Sequence, residues 1–395
     1  MKIIKNSFSK NIYITIIIAL GVICSLIIIL FLKLSMYNDN NDNAFTKDGV
    51  KYAIVVDGTR SKTIPAKDLY EVSVNCTNAE AKWLYDEWTL YIGEISGNVT
   101  CDLTFTTVEK INLNNYIIKL SGKTQGMGQV VKENGYRYEG KNPNNYLWFN
   151  NELWRIIGVF DSSTHGIAKT NLVKIIRAEV LDGLVWDTNN KNNWSTSSLN
   201  KLLNGAYYNA QNGTNTDYCY GCTCSSGKTK ANCNYTQRGI QSAYKKMIKN
   251  VTWHLGGYSL ESTTESSYIA ERGTSVYDKN ETLSKGYIGL MYPSDYGYSV
   301  LASNCARSTM LGDYDSSKCA GQSWLHGKGY TWSITHMTDA DFGVFVLRTY
   351  GDIPLHASNP NSCDGYGIRP VLYLDASVYK IAGDGSTSSP YIVGM

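Results

Sequence analysis

Charge is in short supply in this 395-residue chain, where Asp, Glu, Lys and Arg together make up only 18%. The formal net charge is +3, and Lys2, Lys5, Lys10 and Lys33 all flank one apolar run, so residues 34–395 sum to −1. A body without basic excess argues against a nucleic-acid binder, which needs a phosphate-facing basic stripe. Histidine is scarce as well. His165, His254, His326, His336 and His356 are scattered, and no H-E-x-x-H sets two of them on one helical face, so metal-dependent hydrolysis finds no motif. There is no G-x-S-x-G elbow, no P-loop lysine motif and no G-x-G-x-x-G after a strand, and no cofactor is expected. A catalytic triad drawn from distant residues would leave no such trace.

A long run without charge is present. From Ile12 to Leu32 the chain reads IYITIIIALGVICSLIIILFL. As a helix this spans about 32 Å, which matches a hydrocarbon core of about 30 Å. Lysines precede it and Asn38, Asp39, Asn40, Asn41 and Asp42 follow, so the positive-inside bias predicts a cytoplasmic tail over residues 1–11 and everything after the span outside the cell. The apolar stretch is too long for a cleaved signal peptide and lacks a small-x-small site, so an uncleaved single-pass anchor is expected. Cys24 follows Ile23 rather than the Gly or Ala of a lipoprotein signal, and reads as one more buried apolar side chain.

Outside the membrane, cysteines default to disulfides. Cys76 and Cys101 form the clearest pair: EVSVNC and NVTCDLTF are alternating strands whose inward faces carry Val72, Val74 and Cys76 on one side and Val99, Cys101, Leu103 and Phe105 on the other. Cys219, Cys222, Cys224 and Cys233 crowd a Gly/Ser loop with C-x2-C-x-C-x8-C spacing. No His accompanies them and the two separated knuckles of a zinc ribbon are missing, so local disulfides are expected rather than a metal site. Cys305 with Cys319 would close a further loop, leaving Cys363 unpaired by count.

Hydrophobic periodicity divides the remainder. Residues 33–49 read as a linker, 50–120 as a small antiparallel β-sandwich, 121–145 as a Gly/Asn-rich connector and 146–395 as a larger α+β domain. Within the last, YLWF, the turn Asn150-Asn151 and ELWRIIGVF predict a hairpin, since Asn tolerates the positive φ of a two-residue turn. LVKIIRAEV predicts a third strand. One helix is expected from Ser195 or Thr196, with Leu199, Leu202, Leu203, Ala206 and Tyr207 on its stripe, and a second over Thr236 to Trp253, with Ile240, Tyr244, Met247 and Val251 on its own.

Residues 146–395, through WFNNELWRIIGVF, LDGLVWD, NNWSTSSLNKLLNGAYYN, GYIGLMYPSDYGYS and GIRPVLYLDASV with GDGSTSSPYIV, resemble an uncharacterised domain family of envelope proteins in low-GC Gram-positive bacteria. The preceding unit, with YAIVVDG and ISGNVTCDLTF, resembles the small domain found before it. The C-terminal stretch is also similar to the ends of C-type-lectin-like and formylglycine-generating-type folds, so the resemblance implies a C-type-lectin-like domain. Neither activity carries over: the isolated Cys363 departs from a reactive cysteine pair, and Asn142-Pro143-Asn144 and Asn359-Pro360-Asn361 lack the acidic calcium ligand.

Tyrosine is what the chain has in excess, 30 residues against 8 Phe. In YPSDYGY, Tyr292, Asp295, Tyr296 and Tyr298 lie in a run without core-strand spacing, set among Ser and Gly, the composition of recognition loops. Trp324 and Trp332, flanking HGKGYT, would supply a second such surface, although Trp more often plugs a core and AT-rich coding raises Tyr and Asn everywhere. Together these features point to a membrane-anchored cell-surface protein that binds a glycan, a cell-wall polymer or another protein without catalysis. An envelope hydrolase with a site assembled from dispersed residues and a pilin-like assembly subunit stay open beside it. Against the pilin, no Glu lies early in the apolar run.

Overall fold

The computed structural model describes residues 3–5, 45–47 and 49–395, apart from the short stretches 68–69, 86, 224–226, 260–261, 316, 341 and 354–365. The expected anchor, Ile12 to Leu32, lies outside the described residues, as do Cys24, Cys224 and Cys363. No helix among the described residues is long and apolar enough to cross a membrane. Contacts divide the chain into two units, Met1–Lys110 and Ile111–Met395.

In the first unit the expected two-layer antiparallel sandwich is replaced by a single mixed sheet. Its spine is the strand Thr89–Thr107, long enough to take partners along both edges. Tyr70–Leu84 runs antiparallel to it and places Cys76 directly opposite Cys101. Val50–Val56 pairs in parallel on the other edge, Val50 beside Val99 through Val56 beside Phe105, and Ile3–Lys5 pairs in parallel with Leu90–Ile92. Parallel neighbours need crossover connections, and sequence alternation carries no information about strand direction. Asp57-Gly58, both at positive φ, turn the chain into Thr59–Ser61 as a two-residue hairpin. Asp57 also caps the sheet, its carboxylate accepting from Thr107 N at 2.6 Å and Thr107 Oγ1 at 2.7 Å, which holds its pKa below the usual range. Tyr52, Ile54, Leu90, Ile92, Leu103 and Phe105 are buried, and Trp83 stands edge-on to Trp88 and Phe105.

The second unit is built on a ten-stranded sheet, and the α+β expectation is corrected to a mainly β fold with short helices. The order Ile288–Gly289, Val371–Leu374, Leu172–Arg177, Glu152–Phe160, Tyr146–Phe149, Tyr391–Gly394, Tyr379–Ala382, Ile111–Asn112 sets the C-terminal strands inside the sheet beside early ones. The Asn150-Asn151 hairpin is present, with φ of +56° and +60°. Residues 121–145 are no connector: Met127–Lys132 and Tyr136–Asn142 form a hairpin attached to Glu152–Phe160. Leu172–Val173–Lys174–Ile175–Ile176 are buried in succession, so both faces of this strand are covered.

The two predicted helices shrink for identifiable reasons. The first breaks into a 3-10 turn Trp194–Thr196, one α-turn Ser198–Leu202 capped by Ser197, and a wider turn Leu203–Tyr207 containing Gly205. The second survives only as Ser242–Lys245. Gly239 packs too tightly for a side chain, 2.4 Å from Tyr207 O to its ideal Cβ, and β-branched Val251 and Thr252 belong to a strand, Val251–His254. The longest helix among the described residues, Thr264–Glu271, has eight residues and a capping box from Thr263 and Ser266. Among the described residues three disulfides join Cys76 to Cys101, Cys219 to Cys233 and Cys305 to Cys319. Cys222 lies on the ribbon strand Tyr220–Thr223.

Candidate functional site

YPSDYGY, expected as an exposed recognition loop, is a buried helix, Pro293–Ser299, with Pro293 pre-set for its first turn. Tyr292, Asp295, Tyr296 and Tyr298 are all 3% exposed or less. Each phenol has an internal partner. Tyr292 Oη donates to His254 O at 2.9 Å, Tyr296 Oη donates to Gly351 O at 2.5 Å, and Tyr298 Oη accepts from Asn134 Nδ2 at 2.7 Å. The ring bodies supply the apolar area that sequence spacing did not show, because a phenol buries well once its hydroxyl is satisfied. Trp324 and Trp332 are core as well, their indoles donating to Tyr138 O and Leu184 O, each at 2.9 Å. The structure therefore places these six residues on no surface: all are buried, and Tyr292, Tyr296, Trp324 and Trp332 belong to one continuous core.

Asp295 does gather other groups. Its carboxylate accepts from Arg137 Nη1 at 3.0 Å, from Lys174 Nζ at 2.5 Å and from the Tyr292 backbone N–H at 3.1 Å. Arg137 comes from Tyr136–Asn142, Lys174 from Leu172–Arg177 and Asp295 from the helix, so one carboxylate ties a helix to two sheet strands. Aromatic rings close the cluster. Phe160 and Tyr298 lie 4.5 and 4.4 Å from the Arg137 guanidinium, and Tyr292 lies 4.3 Å from Lys174 Nζ. Beside it, Glu271 accepts from Ser294 N at 2.9 Å, pairs with Ser294 Oγ, and meets Arg272 Nη1 at 3.4 Å.

Burial shifts these groups toward neutrality. Desolvation lowers Lys174 to about 8 against the pull of Asp295, and raises Glu271 to about 7 against the pull of Arg272. Asp295 stays below the usual carboxylate range because Lys174 and Arg137 outweigh its desolvation. Groups poised near pH 7 are the raw material of acid–base catalysis. Here the Lys174, Asp295 and Glu271 side chains are 1% exposed or less, with Lys174 bonded to Asp295 and Glu271 bonded to Ser294 and Arg272. The cluster is a sealed ionic lock on the fold. Only Asp295 was singled out from sequence; a lysine inside the apolar LVKIIR and an arginine inside GYRYEG were the available signals.

At the surface, Tyr208 and Tyr287 stack face to face, with centroids 4.2 Å apart and ring planes 11° apart. Both are half-buried. Lys245 Nζ lies 5.0 Å from the Tyr208 centroid and donates to Asn209 Oδ1 at 2.9 Å. Packing raises the Tyr208 hydroxyl to about 12, chiefly by desolvation, so the rings stay neutral. This is an aromatic face with polar donors and acceptors at its rim. Neither tyrosine stood out in sequence, because a helix end and a distant strand end bring them together. Among the described residues no group of three or more His, Cys, Asp or Glu side chains converges as a metal site. No family model, curated protein or solved structure matches this chain.

Proposed function

We propose that this protein is a disulfide-braced binding module that works outside the cytoplasm, recognising a glycan, a cell-wall polymer or another protein without turning it over. The Tyr208–Tyr287 stack with Lys245 and Asn209 carries the reading, since partly exposed rings beside amide and ammonium groups suit both sugar faces and polar polymer chains. Three disulfides support an oxidising compartment. The enclosure of Lys174, Asp295 and Glu271 weighs against the hydrolase alternative, whose site must admit substrate.

The test is a binding screen of the full chain in detergent against a glycan array and purified cell-wall polymer, repeated with Tyr208→Ala combined with Tyr287→Ala. Loss of a stacked aromatic contact worth ~1 kcal/mol weakens retention by roughly fivefold to tenfold. Retention unchanged by the double substitution, or turnover of a peptidoglycan or ester substrate, overturns the reading.

A further inference from the structure

Arg155 and Arg369 are 6% and 1% exposed, and among the described residues neither forms an ion pair. They are neighbours. Arg155 Nη1 donates to Trp324 O and Arg369 Nη1 donates to Leu325 O, both at 3.4 Å, so the two guanidiniums reach consecutive carbonyls of one chain segment, near enough for the charge of Arg155 to lower the pKa of Arg369. Arg155 is further fixed by Asn145 Oδ1 at 2.7 Å, Pro143 O at 3.2 Å and Asn142 Oδ1 at 3.3 Å, and its plane lies 4.2 Å from the Tyr146 ring centroid and 4.6 Å from that of Trp324.

Arg369 is held less completely. Its Nε donates to Arg177 O at 3.0 Å, while Nη2 is buried with no hydrogen-bond partner. Each guanidinium carries five N–H donors. Four acceptors meet those of Arg155 and two meet those of Arg369, so among the described residues four N–H bonds of the pair have no acceptor, the two on the buried Arg369 Nη2 among them. Glu179, the carboxylate whose field reaches Arg369, is exposed and already paired with Lys328 Nζ at 2.5 Å. A bound water would satisfy some of these donors but would leave two like charges buried against each other, a cost of several kcal/mol per ion.

We propose that Arg155 and Arg369 form an internal site for a small oxyanion, a carboxylate or phosphate group that bridges the two guanidiniums with Trp324 as one wall. An oxyanion supplies both what the spare donors need and the missing negative charge, and the guanidinium fork matches its geometry. Desolvation pulls Arg155 down to about 10 and Arg369 to about 9, so both remain charged at neutral pH. The site is independent of the Tyr208–Tyr287 face. Trp324 thus returns as a ligand-facing residue, from the interior rather than the surface.

The full chain, purified in detergent and dialysed free of oxyanions, is titrated at constant ionic strength with inorganic phosphate and separately with acetate. Unfolding temperature and tryptophan fluorescence are followed. Saturable stabilisation and a fluorescence change with at least one of the two anions are expected, with affinity lowered at least tenfold in Arg369→Gln; which anion acts distinguishes a phosphate from a carboxylate occupant. If Arg369→Gln does not fold, ion chromatography of the undialysed wild type after denaturation replaces it, and one oxyanion equivalent per chain supports the site. No saturable response to either anion, a response unchanged in Arg369→Gln, or a denatured wild type that releases no oxyanion overturns it.

Discussion

Replacing Asp295 by Asn tests whether the ionic lock holds the second unit together. The amide keeps the size of the carboxylate but removes the charge facing Lys174 and Arg137, both 1% exposed in side chain. Removing one member of a buried ion pair costs about 3–5 kcal/mol, because the stranded charge stays desolvated. With an unfolding entropy of about 2.1 cal/mol/K per residue over Ile111–Met395, a loss of ~4 kcal/mol lowers Tm by about 7 °C. The pH dependence gives a second handle. Lys174 sits at about 8 in the fold against 10.5 when free, so the unfolded chain binds more protons between those values and stability rises with pH there. Without Asp295 the lysine drops further, so the deficit of the variant narrows from a lower pH upward. Adding Lys174→Met to Asp295→Asn removes the stranded ammonium and restores part of the loss. Urea denaturation across pH reads all three effects. A loss below ~1 kcal/mol, or a double variant no more stable than Asp295→Asn alone, refutes the lock.

Three further outcomes follow from the same geometry. Glu271 titrates at about 7 folded against 4.5 unfolded, so its contribution is full below about pH 4.5 and lost as pH rises through 7; Glu271→Gln gains stability relative to wild type between about pH 5 and pH 8, read from urea midpoints. Cys101→Ser opens a loop with a sequence separation of 25, and the first unit loses ~3 kcal/mol, matched by treating wild type with reductant while following its melting. Gly158→Ala drives a Cβ to 2.3 Å from Tyr136 O where two strands pair and costs ~1–3 kcal/mol in denaturant midpoint, whereas Gly205→Ala meets nothing within 4 Å and changes stability by less than ~1 kcal/mol.

Much of the local detail was legible because it depends on neighbours in sequence. Alternation in EVSVNC and NVTCDLTF set Cys76 and Cys101 on facing strand sides, and Asn150-Asn151 specified its own turn. Helix length was misread because the apolar stripe over Thr236 to Trp253 is equally the pattern of a short turn followed by a strand. Gly239, packed against Tyr207 O, lies before the surviving turn Ser242–Lys245, and the strand Val251–His254 lies after it; neither tertiary limit is encoded in a local pattern. YPSDYGY was misread for a related reason: its rings are apolar in body and polar at one atom, and whether they face outward depends on partners such as His254 O and Gly351 O.

By itself the sequence determined the hairpin turns, the strand alternation and the pairing of Cys76 with Cys101, because these follow from backbone preferences and a two-residue period acting over short spans. Only the tertiary structure decided that the first sheet takes parallel partners, that residues 121–145 join the second, and that Arg137, Lys174 and Asp295 meet in the interior. It likewise set Arg155 beside Arg369 across two consecutive carbonyls. Each of these joins residues far apart in the chain, and burial fixes their charge and hydrogen-bonding needs only after the surrounding elements have packed.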